Sequence, residues 1–168
     1  MNIILTVCLL VIIFGVLPVI FLFTIKNNKL LKIIFAVMLG LYVVVLCIGV
    51  FADIEIKSVI SINSYHIPKD AEKIFHFNLL ARKKRDLIIN LLMFIPFGFI
   101  FSNLFNKFRV IKTLAIGAVF SIFIEFVQHF LPTVRTAQLS DIVLNIISCL
   151  IGALLFVGVN YLRKKVIK

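Results

Sequence analysis

Residues 3–25 read IILTVCLLVIIFGVLPVIFLFTI, a run without a single charged residue. A helix needs about 20 apolar residues to cross roughly 30 Å of hydrocarbon, so this run is long enough to span a bilayer. Four more runs of similar length follow, over residues 33–52, 87–105, 113–131 and 142–162. These runs are expected to span the membrane as helices, because open strands would leave backbone groups unpaired in lipid. The sequence therefore predicts an all-α transmembrane bundle of about five membrane-spanning helices.

The composition excludes an ordinary soluble domain. Hydrophobic residues make up 62% of the chain and charged residues 15%, against about 45–50% and about 25% in soluble domains. The net charge of +11 raises the question of nucleic acid, but the basic residues stand in short clusters between apolar runs, such as Lys26, Lys29 and Lys32. That arrangement is typical of membrane-protein loops. We therefore expect membrane lipids as partners and no nucleic acid.

The apolar runs divide the chain into three predicted regions. Residues 1–52 form two N-terminal transmembrane helices, and residues 53–86 form an extracytoplasmic linker. Residues 87–168 form a three-helix core with a basic cytoplasmic tail. Within the linker, Pro68 precedes Asp70 and Glu72, and proline and acids are favourable in a first helical turn. This pattern predicts a short interfacial helix in the linker.

Lysine and arginine counts in the loops predict the orientation of the bundle. With the amino terminus outside, ten basic residues lie on the cytoplasmic side and eight on the other. The tetrad Arg82-Lys83-Lys84-Arg85, next to the third run, favours the opposite orientation. The total count of basic residues favours an orientation with the amino terminus outside (N-out) and the carboxyl terminus in the cytoplasm (C-in).

One membrane face collects most of the polar residues of the last three helices. In an alternating bundle, the start of the third helix, the end of the fourth and the start of the fifth lie on the same face. The candidate ligand-binding residues at this face are Asp86, Asn90, Glu125, Gln128, Arg135, Asp141 and Asn145. The opposite helix ends carry mainly lysine, arginine and simple loop residues.

Helical spacing indicates how these residues are arranged. Asp141 and Asn145 are four residues apart, as are Glu125 and His129, so each pair shares a helix face. Glu125 lies roughly 9 Å inside its helix end, and an ionisable residue at that depth is usually turned inward and paired. This predicts a polar pocket open to one leaflet, in which Glu125 faces Arg135 or a ligand. The alternative is that the amide side chains only join the helices by hydrogen bonds.

The same residues argue against a metal site or a nucleophilic enzyme. Glu125 and His129 have a workable ligand spacing, but no two histidines share a helix at such a spacing and no separate base stands nearby. Ser121 is one turn from Glu125, and a serine there is more often a packing hydrogen bond. We predict no metal, no cofactor and no catalytic residue.

The polar segments resemble the VanZ-like family of bacterial membrane proteins. The resemblance rests on the strings Arg85-Asp86-Leu87-Ile88-Ile89-Asn90, Glu125-Phe126-Val127-Gln128 and Asp141-Ile142-Val143-Leu144-Asn145, with Pro132, Arg135 and Gly152. It covers roughly residues 73–152. Ser148 departs from the glycine that many members have. The resemblance implies a bacterial plasma membrane and an envelope role, and the family is named for resistance to the glycopeptide teicoplanin.

Three functions agree with these observations. The first is binding of a lipid, a lipid-linked cell-wall intermediate or the acyl chain of a lipoglycopeptide at the outer-leaflet pocket. The second is an enzyme that modifies an envelope lipid, with Glu125 or Asp141 as general base. The third is an envelope scaffold without a ligand. The missing nucleophile, metal pair and phosphate loop favour binding.

Overall fold

The computed structural model describes residues 3–51, 84–130 and 139–166. Every regular element in this part of the chain is a helix, which confirms the predicted all-α bundle. The helices are α1 (Ile3–Thr24), α2 (Asn28–Phe51), α3 (Lys84–Ser102), α4 (Arg109–Phe130) and α5 (Leu139–Val166). The predicted interfacial helix and the loop that carries Arg135 lie outside the described residues.

Three of the helices contain segments that are long and apolar enough to cross a membrane. These segments are Asn28–Ile48 in α2, Arg109–Val127 in α4 and Leu139–Val166 in α5. Shorter apolar segments, Ile12–Thr24 and Leu91–Ser102, belong to α1 and α3. The outer faces of the bundle carry many exposed large hydrophobic side chains, a surface that suits lipid. The structure fits a membrane bundle. That all five helices cross the membrane stays a prediction.

Helix α3 lies at the centre of the bundle, because it contacts each of the other four helices. Its side chains from Phe94 to Ile100 are almost all buried, as expected of a helix that is apolar on every side. The Tyr42 hydroxyl of α2 donates a hydrogen bond to the Met93 carbonyl of α3. The first two helices therefore pack on the same centre as the last three.

The closest helix contact joins α3 and α5 through two glycines. A methyl group on Gly152 would come within 2.8 Å of the Phe99 nitrogen, and one on Gly98 within 2.9 Å of the Cys149 carbonyl carbon. Real side chains do not tolerate such distances, so both positions require glycine for the backbones to meet. The two glycines therefore allow α3 and α5 to cross tightly.

Several helices extend beyond their apolar runs. Helix α2 begins at Asn28 rather than near residue 33, because the Asn27 Oδ1 accepts hydrogen bonds from the backbone nitrogens of Lys29 (2.9 Å) and Leu30 (3.3 Å). This is an N-cap, which satisfies helix donors that otherwise lack partners. Helix α5 continues to Val166, with three basic residues in its last turn that oppose the negative end of the helix dipole.

Candidate functional site

The structure describes the side chains of three of the seven candidate residues. Glu125 and Asp141 are each 7% exposed and Asn145 is 6% exposed, so all three are buried. Asp86 and Asn90 belong to α3 and Gln128 belongs to α4, but their side chains lie outside the described part. Ligand binding by all seven residues stays a prediction.

Helices α4 and α5 meet through a polar contact at the buried candidates. The Asn145 Nδ2 donates a hydrogen bond to the Ser121 Oγ at 2.9 Å. Both residues are buried, so each satisfies a polar group that would otherwise be unpaired. Ser121 is thus a packing residue, as predicted from sequence, with Asn145 rather than Glu125 as its hydrogen-bond partner in this contact.

The Asn145–Ser121 hydrogen bond also shows where the two acids, Glu125 and Asp141, lie along the helix axes. Helices α4 and α5 run antiparallel, with Ser121 opposite Asn145. One turn further along α4 is Glu125, and one turn back along α5 is Asp141, so the two acids lie at the same level. We call Ser121, Glu125, Asp141 and Asn145 the polar ladder.

Glu125 faces the bundle and its neighbours along α4 do not. Phe123 is 57% exposed and Phe126 is 60% exposed, whereas Glu125 is 7% exposed. Since the two aromatic rings are directed outward, they present an apolar surface to lipid on either side of a buried acid. The prediction that Glu125 is turned inward is confirmed.

Two serines of α5 extend the polar face. Ser140 and Ser148 are fully buried, and the Ser148 Oγ donates to the Leu144 carbonyl at 2.7 Å. Sequence reasoning identified Ser148 but missed Ser140. The signal for Ser140 was its place beside Asp141 at the start of a helix, where serine commonly satisfies free backbone donors.

The electrostatics differ between the two acids of the ladder. Asp141 lies in the first turn of α5, where the helix dipole stabilises a negative charge. Glu125 is inside α4, roughly 8 Å along the axis from Phe130, at about 1.5 Å per residue. A charge buried there requires compensation by hydrogen-bond donors, a cation or a proton. The ladder can therefore hold a polar or cationic group inside an apolar bundle.

No group of three or more metal-binding side chains occurs among the residues that the structure describes. Cys149 is buried in the α4–α5 contact, where its Sγ lies 3.6 Å from the Thr113 carbonyl oxygen. Cys149 thus packs as a small buried side chain. Cys47 is partly buried and unpaired with any other described cysteine.

Comparison with known proteins gives one match. A family model described as VanZ/LLP1 matches residues 3–162, a range that runs from the start of α1 almost to the end of α5. The match includes all seven candidate residues. No curated protein and no solved structure matches the chain.

Proposed function

The chain belongs to the VanZ/LLP1 family, and we propose that it acts in the bacterial plasma membrane by binding an amphiphile at the end of the bundle that holds the polar ladder. The ligand is a membrane lipid, a lipid-linked cell-wall intermediate or the acyl chain of a lipoglycopeptide such as teicoplanin. Binding there would lower susceptibility to the antibiotic. The orientation that accompanies this proposal is N-out and C-in, with the ladder towards the outer leaflet.

The burial of two acids at one level of an otherwise apolar helix pair is the observation that supports this proposal most. Glu125 and Asp141 are both 7% exposed. Ionisable residues inside membrane helices are costly and usually serve function. The Asn145–Ser121 hydrogen bond also joins the two helices one turn away from the acids.

The surroundings of the ladder suit a ligand with a polar head and an apolar tail. Phe123 and Phe126 flank Glu125 along α4 and are more than half exposed, so an acyl chain can lie against them in the bilayer. Pockets for small molecules generally combine apolar walls with a few convergent polar groups. Arg135, in the loop between α4 and α5, is proposed to pair with the ladder acids or with an anionic head group.

The test compares function with abundance in Glu125→Gln, Asp141→Asn and Arg135→Ala. Each variant is expected to lose teicoplanin protection and copurified lipid while its membrane abundance stays within about twofold of wild type, because apolar spans drive insertion. Thr113→Val is the matched control, since it removes a buried hydroxyl from the other end of α4. It should keep protection.

Two results would decide against binding at the ladder. Wild-type protection in all three variants would remove these residues from the function. A fall in abundance or thermal stability that parallels the loss of protection would assign them to helix packing, and thus to a scaffold. Copurified lipid is identified by mass spectrometry in each case.

Reporter fusions test the orientation and the number of spans. A phosphatase placed between α2 and α3, within residues 53–83, is expected to be active because that segment is proposed to lie outside. A reporter that works only in the cytoplasm is expected to work after Lys168. If both fusions report the same compartment, an odd number of crossings between them is excluded and the five-span proposal is wrong.

A further inference from the structure

A second polar site lies at the opposite end of the bundle from the ladder. A cavity of about 720 Å³ opens where the α1–α2 turn, the α3–α4 turn and the last turns of α5 meet. Its lining contains six basic side chains, and we call it the basic cavity. These residues are Lys26, Lys29, Lys32, Arg109, Arg163 and Lys164.

Hydrogen bonds between distant parts of the chain hold the walls of the basic cavity in place. The Arg163 Nη2 donates to the Ile25 carbonyl at 2.9 Å, and the Nη1 donates to the Asn28 Oδ1 at 3.3 Å. The Lys32 Nζ donates to the Asn106 Oδ1 at 2.9 Å. The walls of the cavity are therefore fixed by the fold, and they come from three segments that are remote in sequence.

Arg109 is positioned by packing rather than by an acid. Its guanidinium carbon lies 5.3 Å from the centre of the Phe156 ring. A cation over an aromatic face is attracted to the ring. The Arg109 Nη2 also donates a long hydrogen bond of 3.5 Å to the Asn106 carbonyl. The cavity thus holds two arginines in defined places.

Two buried donors in the lining have no acceptor among the described residues. They are the Arg163 Nε and the Asn103 Nδ2. A buried donor without a partner costs free energy, so an acceptor oxygen that came within reach of either group would be stabilising. Both groups are donors, so the partner that each lacks is an acceptor and not another donor such as an ammonium group.

The charges of the cavity point to the same ligand chemistry. No aspartate or glutamate contributes to the described lining. All seven acids of the chain belong to the α2–α3 segment, the start of α3, the late part of α4 or the start of α5. Six cations near one another repel, and an anion between them relieves that repulsion.

We propose that the basic cavity binds the phosphate group of an anionic membrane lipid. Arg109 and the four lysines of the lining suit phosphate oxygens, which accept N–H donors from cations, while Arg163 holds the wall of the cavity and adds its charge. The cavity lies at the helix ends, the level of lipid head groups, and its size is ample for a glycerophosphate head group. Leu31 and Phe105 add apolar walls for the first carbons of the lipid. With the proposed orientation, this lipid belongs to the cytoplasmic leaflet.

The experiment measures the dissociation constants of phosphatidylglycerol, phosphatidylcholine and inorganic phosphate for the full-length protein in detergent, by native mass spectrometry. Phosphatidylglycerol is expected to bind at least tenfold more tightly than the other two. Lys29→Gln combined with Lys164→Gln should weaken its binding at least tenfold, since both lysines line the cavity. The matched control is Lys107→Gln combined with Lys165→Gln. It removes the same charge from the same end, outside the cavity lining, and should change binding less than about twofold.

Asn103→Asp is a second variant that does not rely on surface lysines. It replaces the orphaned donor with an acceptor that pairs with the cations, so it should abolish phosphatidylglycerol binding. The thermal unfolding temperature without lipid should be unchanged or higher. Retained binding by Asn103→Asp would overturn the proposal, because a carboxylate in the lining competes with the phosphate for the cations.

The remaining outcomes are also decisive. Equal weakening by the cavity pair and the control pair would assign the binding to general surface charge and overturn the site. Inorganic phosphate that binds as tightly as phosphatidylglycerol would overturn a lipid as the source of the phosphate. The cavity pair changes no residue of the polar ladder, so failure at the polar ladder and failure at the basic cavity are distinguishable.

Discussion

Helix α5 packs against α3 and against α4 by different means. Against α3 the contact depends on missing side chains, because Gly98 and Gly152 let the two backbones meet. Against α4 the contact is made by side chains, chiefly Asn145 with Ser121. A backbone contact has no room for added atoms, whereas a hydrogen bond between membrane helices contributes little stability. We therefore expect the α3–α5 contact to contribute more to the stability of the bundle than the α4–α5 contact does.

The largest expected effect is that of Gly152→Ala. The new methyl group would lie within 3.0 Å of the carbonyl carbon of Ile95 and of the backbone of Phe99, so the helices must separate. We expect a loss at the upper end of about 1–3 kcal/mol in unfolding free energy, measured by thermal unfolding in detergent. Gly158→Ala is the control, because no atom lies within 4 Å of its added methyl group. Equal stability of the two variants would contradict the comparison.

A smaller effect is expected at Gly117 in α4. An added methyl group would lie 2.6 Å from the Cys149 Sγ, and this obstacle is a side chain rather than backbone. Gly117→Ala should cost about 1 kcal/mol. Cys149→Ala in the same chain should restore much of the loss, because the sulfur is then gone. If Cys149→Ala instead adds its own full cost, the two positions are independent and the proposed contact is not the cause.

The smallest expected effect concerns the hydrogen bond of the polar ladder. A double-mutant cycle with Ser121→Ala and Asn145→Ala should give a coupling of about 0.6 kcal/mol in detergent unfolding. A coupling above about 2 kcal/mol would make the α4–α5 contact as important for stability as the glycine contact. In that event the difference between the two faces of α5 would disappear.

Hydropathy was sufficient to predict the five helices, and spacing was sufficient to predict which face of α4 is buried. The helix ends were less predictable, because a hydropathy pattern does not reveal an N-cap residue. Asn27 starts α2 ahead of its apolar run, and α4 begins at Arg109 rather than near residue 113. Backbone hydrogen bonds continue a helix through basic residues whose side chains reach to the head groups.

Helix neighbours could not be read from the sequence. Only the fold identifies Ile95 and Phe99 of α3 as the neighbours of Gly152. The basic cavity was equally hidden, since Lys29, Asn103 and Arg163 are far apart in the chain. Their loops were predicted as ordinary membrane-flanking charge, a property that depends on composition. A cavity depends on which helix ends meet in space.

The hydrogen bond from Arg163 to the Ile25 carbonyl has a consequence for biogenesis. The two residues are 138 positions apart, and the ribosome makes the first hairpin well before it makes the end of α5. Until Arg163 arrives, the last turn of α1 must rely on water or lipid head groups for that carbonyl. The end of the first helix is therefore completed only by the end of the last, and a chain that stops before Arg163 lacks this donor for the Ile25 carbonyl.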